Sequence, residues 1–91
     1  MLKRKRMKWK EVQIPVAAIA KQGKNLTPEE ALSLVNFREQ MRRIDIEKEL
    51  ARMNYTEAEI MRVTINAVVL AMENHNAQMD NLEDRSHVIK L

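Results

Sequence analysis

The first ten residues, MLKRKRMKWK, hold the side chains best suited to chemistry with a partner. Lys3, Arg4, Lys5, Arg6, Lys8 and Lys10 are cations, and Trp9 is a flat aromatic ring set among them. Lysine and arginine neutralise backbone phosphates, and an indole can stack on an unpaired base. Ten extended residues reach roughly 33–36 Å, enough to follow several phosphates of a duplex. Met7 and Trp9 alternate with Lys8 and Lys10, which predicts an extended basic arm over residues 1–14. A membrane surface fits this arm less well. Only Leu2, Met7 and Trp9 could insert, and no amphipathic helix surrounds them.

The net charge of +3 hides a polarity along the chain. Residues 1–24 carry eight basic side chains against Glu11 alone, a balance of +7. Residues 25–91 carry eight basic against twelve acidic, a balance of −4. A basic end on a mildly acidic body predicts contact with an anion.

Other chemistries lack their residues. There is no cysteine, so disulfides, thiolate nucleophiles and cysteine zinc sites are excluded. His75 and His87 stand far apart without clustered carboxylates, which predicts no metal site. A single glycine cannot build a phosphate-cradling loop, and Ser33 and Ser86 have no histidine in a suggestive context. The expectation is a protein that is not an enzyme and needs no cofactor. No apolar run reaches the roughly 18 residues of a membrane span. The start is basic, as in a signal peptide, but Val12–Ala20 is short and broken by Gln13 and Pro15. With no cysteine to staple a small secreted domain, the expected location is cytoplasmic.

The elements that must carry the arm follow from local signals. Ninety-one residues make one domain with a modest core. Ala, Leu, Ile, Val and Met dominate the apolar set, and Trp9, Phe37 and Tyr55 are the only aromatics. That mixture suits helix packing better than a β-sandwich. Pro15 opens a predicted short helix over 16–22, closed by Gly23. Thr27-Pro28-Glu29-Glu30 is a capping-box start, and a helix is expected from 28 to 53. Its wheel carries two apolar stripes, Leu34, Phe37, Met41 and Ile44, and Leu32, Val35, Ile46, Leu50 and Met53. Such a helix lies between neighbours or breaks, and Arg42-Arg43-Ile44-Asp45 is the expected place of the break. Asn54 is expected to end that helix in the left-handed conformation, and Thr56 with Glu59 to cap the next. The Asn-x-Thr triplets at Asn25 and Asn54 are read as such caps.

The last helix, expected over 57–83, carries Ala58, Met61, Ile65, Val68, Met72, His75, Met79 and Leu82 at spacings of 3, 4, 3, 4, 3, 4 and 3. This is a heptad seam. Met61, Ile65, Val68, Met72, His75, Met79 and Leu82 are therefore the expected dimer or partner interface, with His75 a polar position that could fix register. The helix–turn–helix over 50–63 is a weak DNA reader, because Glu57 and Glu59 at its leading end would repel phosphate. Arg38, Arg42 and Arg43 make a second basic point, read as a solvated face beside Glu39 and Glu47.

The expected fold class is all-α. It is a small bundle of three to four helices over 15–84, with a coiled-coil-like C-terminal helix, an extended basic arm and a loose tail over 85–91. The expected function is nucleic-acid binding or regulation by a homodimer. Lys3, Arg4, Lys5, Arg6, Lys8 and Lys10 would meet phosphates, DNA or RNA, and Trp9 would stack. The alternatives are an adaptor or inhibitor that uses the heptad helix, or a structural subunit of a larger assembly.

Overall fold

A computed structural model describes the backbone of residues 6–89 and the side chains of 6–80. A 3-10 turn at Trp9–Glu11 is followed by four helices, α1 (Val16–Ala20), α2 (Pro28–Met41), α3 (Ile46–Arg52) and α4 (Tyr55–Ile89). The chain is a small all-α bundle. Among the described residues the one β pairing is an isolated parallel bridge between Met7 and Ile44. The 35 residues of α4 span about 52 Å and set the long dimension of the molecule, 56 Å.

Three of the four helices, α2, α3 and α4, start where a side chain satisfies free backbone amides, and α1 follows Pro15 with no side-chain cap. Thr27 Oγ1 accepts the Glu30 amide at 3.2 Å, and Glu30 Oε1 accepts the Thr27 amide at 2.9 Å. Pro28 holds the first position of α2, where no amide is needed. The expected long helix does break. α2 ends at Met41, and Asp45 Oδ1 caps α3 by accepting the Lys48 amide at 3.2 Å. Two expectations are corrected at the next turn. Asn54 does not take the left-handed conformation; its Oδ1 accepts the Glu57 amide at 2.8 Å. Asn54 itself therefore caps α4, which begins at Tyr55 and not after Thr56. The backbone then stays helical to Ile89, past the expected end at 83 and through most of the tail expected to be loose.

The core is built from Val12, Ala18, Leu34, Phe37, Val68 and Ala71, with Trp9, Ile19, Met41, Ile44, Ile65 and Met72 packed around it. Leu34, Phe37 and Met41 lie at i, i+3 and i+7, so α2 turns one stripe towards α4. Each large side chain sealed there contributes about 1.5–3 kcal/mol. The second expected stripe divides: Leu32 and Val35 are more than half exposed, while Leu50 and Met53 are half-buried.

A tight loop closes the bundle. Gln22, Gly23 and Asn25 all have positive φ, at 54°, 76° and 52°. Gly23 is buried directly on the α4 backbone, where a β-carbon would collide with the Ala71 carbonyl. The loop is tied to α4 by Asn74 Nδ2 donating to the Gln22 carbonyl at 2.8 Å. Gln78 adds a reciprocal pair with Asn25, at 2.9 Å to its amide and 2.7 Å to its side-chain oxygen. Lys21 Nζ reaches Glu30 Oε1 at 2.7 Å and joins the end of α1 to the start of α2. That ammonium, and next the Thr27 amide, hold the Glu30 carboxyl below its ordinary range.

Gly23→Ala is expected to destabilise the fold by about 3 kcal/mol or more, since it adds both a clash and a strained φ. Thermal unfolding should fall by more than about 12 °C at roughly 4–8 °C per kcal/mol. A midpoint within about 2 °C of the wild type would show that the loop does not close on α4. Glu30 gives a pH signature. Its folded value is lowered, so its contribution is full above the unfolded carboxylate range and disappears as pH falls through the lowered value. Glu30→Gln should therefore lower the unfolding midpoint at neutral pH and converge with the wild type as the pH falls through the lowered Glu30 value.

Candidate nucleic-acid interface

The alternation in the arm decides how it lies on the body. Met7 and Trp9 turn inward and are half-buried, while Arg6, Lys8 and Lys10 are exposed. Residues 6–14 are thus docked, where the sequence suggested an arm standing apart. Lys3, Arg4 and Lys5 lie outside the described residues.

Main-chain hydrogen bonds fix the docking. The Met7 amide donates to the Arg43 carbonyl at 2.9 Å. The Trp9 amide donates to Glu49 Oε1 at 2.8 Å, across forty positions of sequence. The Gln13 amide donates to Gln40 Oε1 at 2.8 Å. Glu49 is the one buried charged residue among those described, and Arg52 Nη1 stands 3.9 Å from its other oxygen. The Trp9 ring meets Phe37 edge-on, with centroids 6.4 Å apart and planes at 88°. Such a pair adds about 0.5–1.5 kcal/mol to area burial. The indole is half-buried in this position and anchors the arm on the body.

Docking brings distant cations together. Arg6, Arg42, Arg43, Ile44 and Asp45 line an open cleft of about 350 Å³. Arg6 Nη1 lies 3.2 Å from Asp45 Oδ2, and Arg42 Nη1 lies 3.2 Å from Glu39 Oε1. These side chains are about half exposed or more, so each pair contributes at most about 1 kcal/mol. The Asp45 carboxylate also caps α3 through its other oxygen. The lining of the cleft holds three guanidiniums and the Asp45 carboxylate, with Glu39 paired to Arg42 beside it. A guanidinium fork matches two phosphate oxygens at once. Lys8, Lys10 and Lys48 are also exposed.

The sequence placed Arg42 and Arg43 on a solvated face; the structure sets them beside the arm. Glu49 carried no sequence signal, since nothing in an EKEL stretch tells which acid a distant amide will find.

The heptad seam is distributed differently from its expected role. Met61 and Val68 are fully buried by the chain's own helices, which leaves them no surface for a second helix. Ile65, Met72 and His75 are half-buried, Met79 is exposed, and the Leu82 side chain lies outside the described residues. His75 and Met72 face Leu32, Val35 and Arg38 across a groove of about 430 Å³ between α2 and α4. Among the described residues, no three His, Cys, Asp or Glu side chains gather as a metal site, and no helix is long and apolar enough to cross a membrane.

No protein-family model, curated protein or solved structure matches the chain.

Glu49→Ala leaves the Trp9 amide without its acceptor and should cost about 1–3 kcal/mol. Trp9 is the only tryptophan, so its fluorescence reads the arm alone. Its emission should shift to the red in Glu49→Ala and stay near the wild-type wavelength in Glu49→Gln, which keeps an acceptor oxygen. Identical emission in all three proteins would show that Glu49 does not hold the arm.

Proposed function

We propose that the protein binds the phosphate backbone of nucleic acid, with low sequence specificity and without catalysis. The carrying observation is the meeting of Arg6 from the arm with Arg42 and Arg43 from the α2–α3 turn on one cleft. Lys8 and Lys10 are exposed on the same arm as Arg6, and Lys3, Arg4 and Lys5 immediately precede Arg6 in sequence. Backbone phosphates are the ligand that rewards spaced cations with little else around them. Trp9 contributes by anchoring Arg6 and Lys8 in place, through its contacts with Phe37 and Glu49. The acidic residues of α4, Glu57 and Glu59 at its start, repel phosphate and keep that helix out of a groove.

The test is anisotropy of a labelled duplex and of a labelled single strand, titrated with protein between about 50 and 200 mM salt. Affinity should fall with salt, with a log–log slope of about −5 on duplex DNA if six cations engage. Arg42→Ala with Arg43→Ala should lower affinity on every sequence and make the slope shallower by about 2. Trp9→Phe, which keeps an aromatic anchor, should leave the slope unchanged. Absence of binding at the lowest salt, or a double variant with unaltered slope, rejects the proposal.

A further inference from the structure

Arg6 and Asp45, thirty-nine positions apart in sequence, meet at the basic cleft. Arg42, Arg43, Ile44 and Asp45 follow one another in the α2–α3 turn, so that wall of the cleft is complete by itself. The other wall is Arg6, and Arg6 stands there only while the arm is docked. Next to it, the Met7 amide donates to the Arg43 carbonyl at 2.9 Å, beside the bridge between Met7 and Ile44. The Trp9 amide donates to Glu49 Oε1 at 2.8 Å. After Trp9 the next apolar attachment is Val12, which belongs to the core. Residues 6–11 thus rest on the body through two main-chain amides, two half-buried side chains and the Arg6–Asp45 pair. A segment with so few attachments opens at a lower free energy than the core helices.

We infer that arm docking and anion binding are one linked equilibrium, in which a phosphate group held between Arg6 and the Arg42–Arg43 wall fastens the arm to the body. This rests on the reading of the cleft as a phosphate site. A ligand that touches both walls has its full set of contacts only in the docked form. It favours that form by the ratio of its affinities for the two forms, and docking favours the ligand by the same ratio. In the free protein Asp45 is the internal counterpart of the phosphate. Its Oδ2 stands 3.2 Å from Arg6 Nη1, while its Oδ1 accepts the Lys48 amide and caps α3. The two oxygens divide these tasks, so Arg6 can turn from Asp45 to a phosphate without loss of the cap. The exposed pair holds the arm weakly. A phosphate accepts two parallel hydrogen bonds from one guanidinium and carries further oxygens for the second wall.

The experiment is amide hydrogen exchange, read by NMR on the nuclease-treated full chain. The anion is inorganic tripolyphosphate at low, constant ionic strength, and the shifts of the 42–45 amides give its Kd. At ten times that Kd the Met7 and Trp9 amides should exchange several-fold more slowly, with roughly tenfold as the limit set by 1 + [L]/Kd. Arg6→Ala changes an exposed side chain, and its docking amides should exchange at rates independent of tripolyphosphate. Arg42→Ala with Arg43→Ala keeps the main-chain acceptor of Met7 and should lose the dependence as well. Saturable binding with unchanged Met7 and Trp9 exchange overturns the inference and leaves the cleft a phosphate site. Slowing that persists in Arg6→Ala also overturns it, since the anion then acts from elsewhere. Absence of any saturable shift at low salt removes the phosphate reading itself, and this inference with it.

Discussion

The arrangement rests on one close approach, the backbone of Gly23 lying on the carbonyl of Ala71. Helix α1 has only five residues, far below the length at which a helix persists alone. It holds its place because the loop behind it is clamped to α4. The clamp carries strain, with Gln22 and Asn25 left-handed at about 1–3 kcal/mol each. Three side-chain hydrogen bonds from Asn74 and Gln78, about 0.5–1.5 kcal/mol each, offset much of that cost. The burial of Ala18 and Ala71 beside the loop supplies more. Everything N-terminal to the loop inherits this position. Val12 and Pro15, which lead into α1, are buried, and Trp9 meets Phe37 edge-on.

Docking the arm does not neutralise it. The attachments are main-chain hydrogen bonds and apolar contacts, made by Met7, Trp9, Val12 and Gln13. Only one arm cation described here, Arg6, meets a carboxylate, and that pair is solvent-exposed. Water and salt screen such a pair, and a phosphate of higher charge density competes for the guanidinium with little penalty. A freely moving arm would lose conformational entropy on binding, about 1–2 kcal/mol for each ordered backbone residue. Residues 6–14 have already met that cost in folding. The alternation of cation and apolar residue thus divides the labour of the segment, with one face for attachment and the other for the partner.

What could be read in advance were the signals that act within four residues. The Thr27–Glu30 box and the break near Asp45 depend on nearby backbone groups, and each is where the local pattern put it. The helix expected over 16–22 ends earlier, at Ala20, and the left-handed backbone begins at Gln22, ahead of Gly23. Contacts across forty positions were not legible. The docking of Trp9 on Glu49 needs two segments to meet, and an alternating cationic strand looks the same whether docked or loose. Asn54 was misplaced for a related reason. Asparagine suits both a left-handed helix end and a helix cap, and the choice lay in how soon α4 begins. Arg42 and Arg43 lay in plain view as a basic point, but their company came from the fold.

Helix α4 shows most clearly where periodicity stops being informative. Two stripes on it share the 3–4 spacing, and the spacing alone does not say which faces the core. The difference is in bulk and shape. The inner stripe offers Met61, fully buried, and Met72, packed against the core, two flexible side chains that fit irregular surroundings. The outer one offers branched Ile60 and Val63 and a small Ala67, a regular surface that suits a helix and not a loop. Irregular neighbours take the adaptable face, and the regular face is left outside.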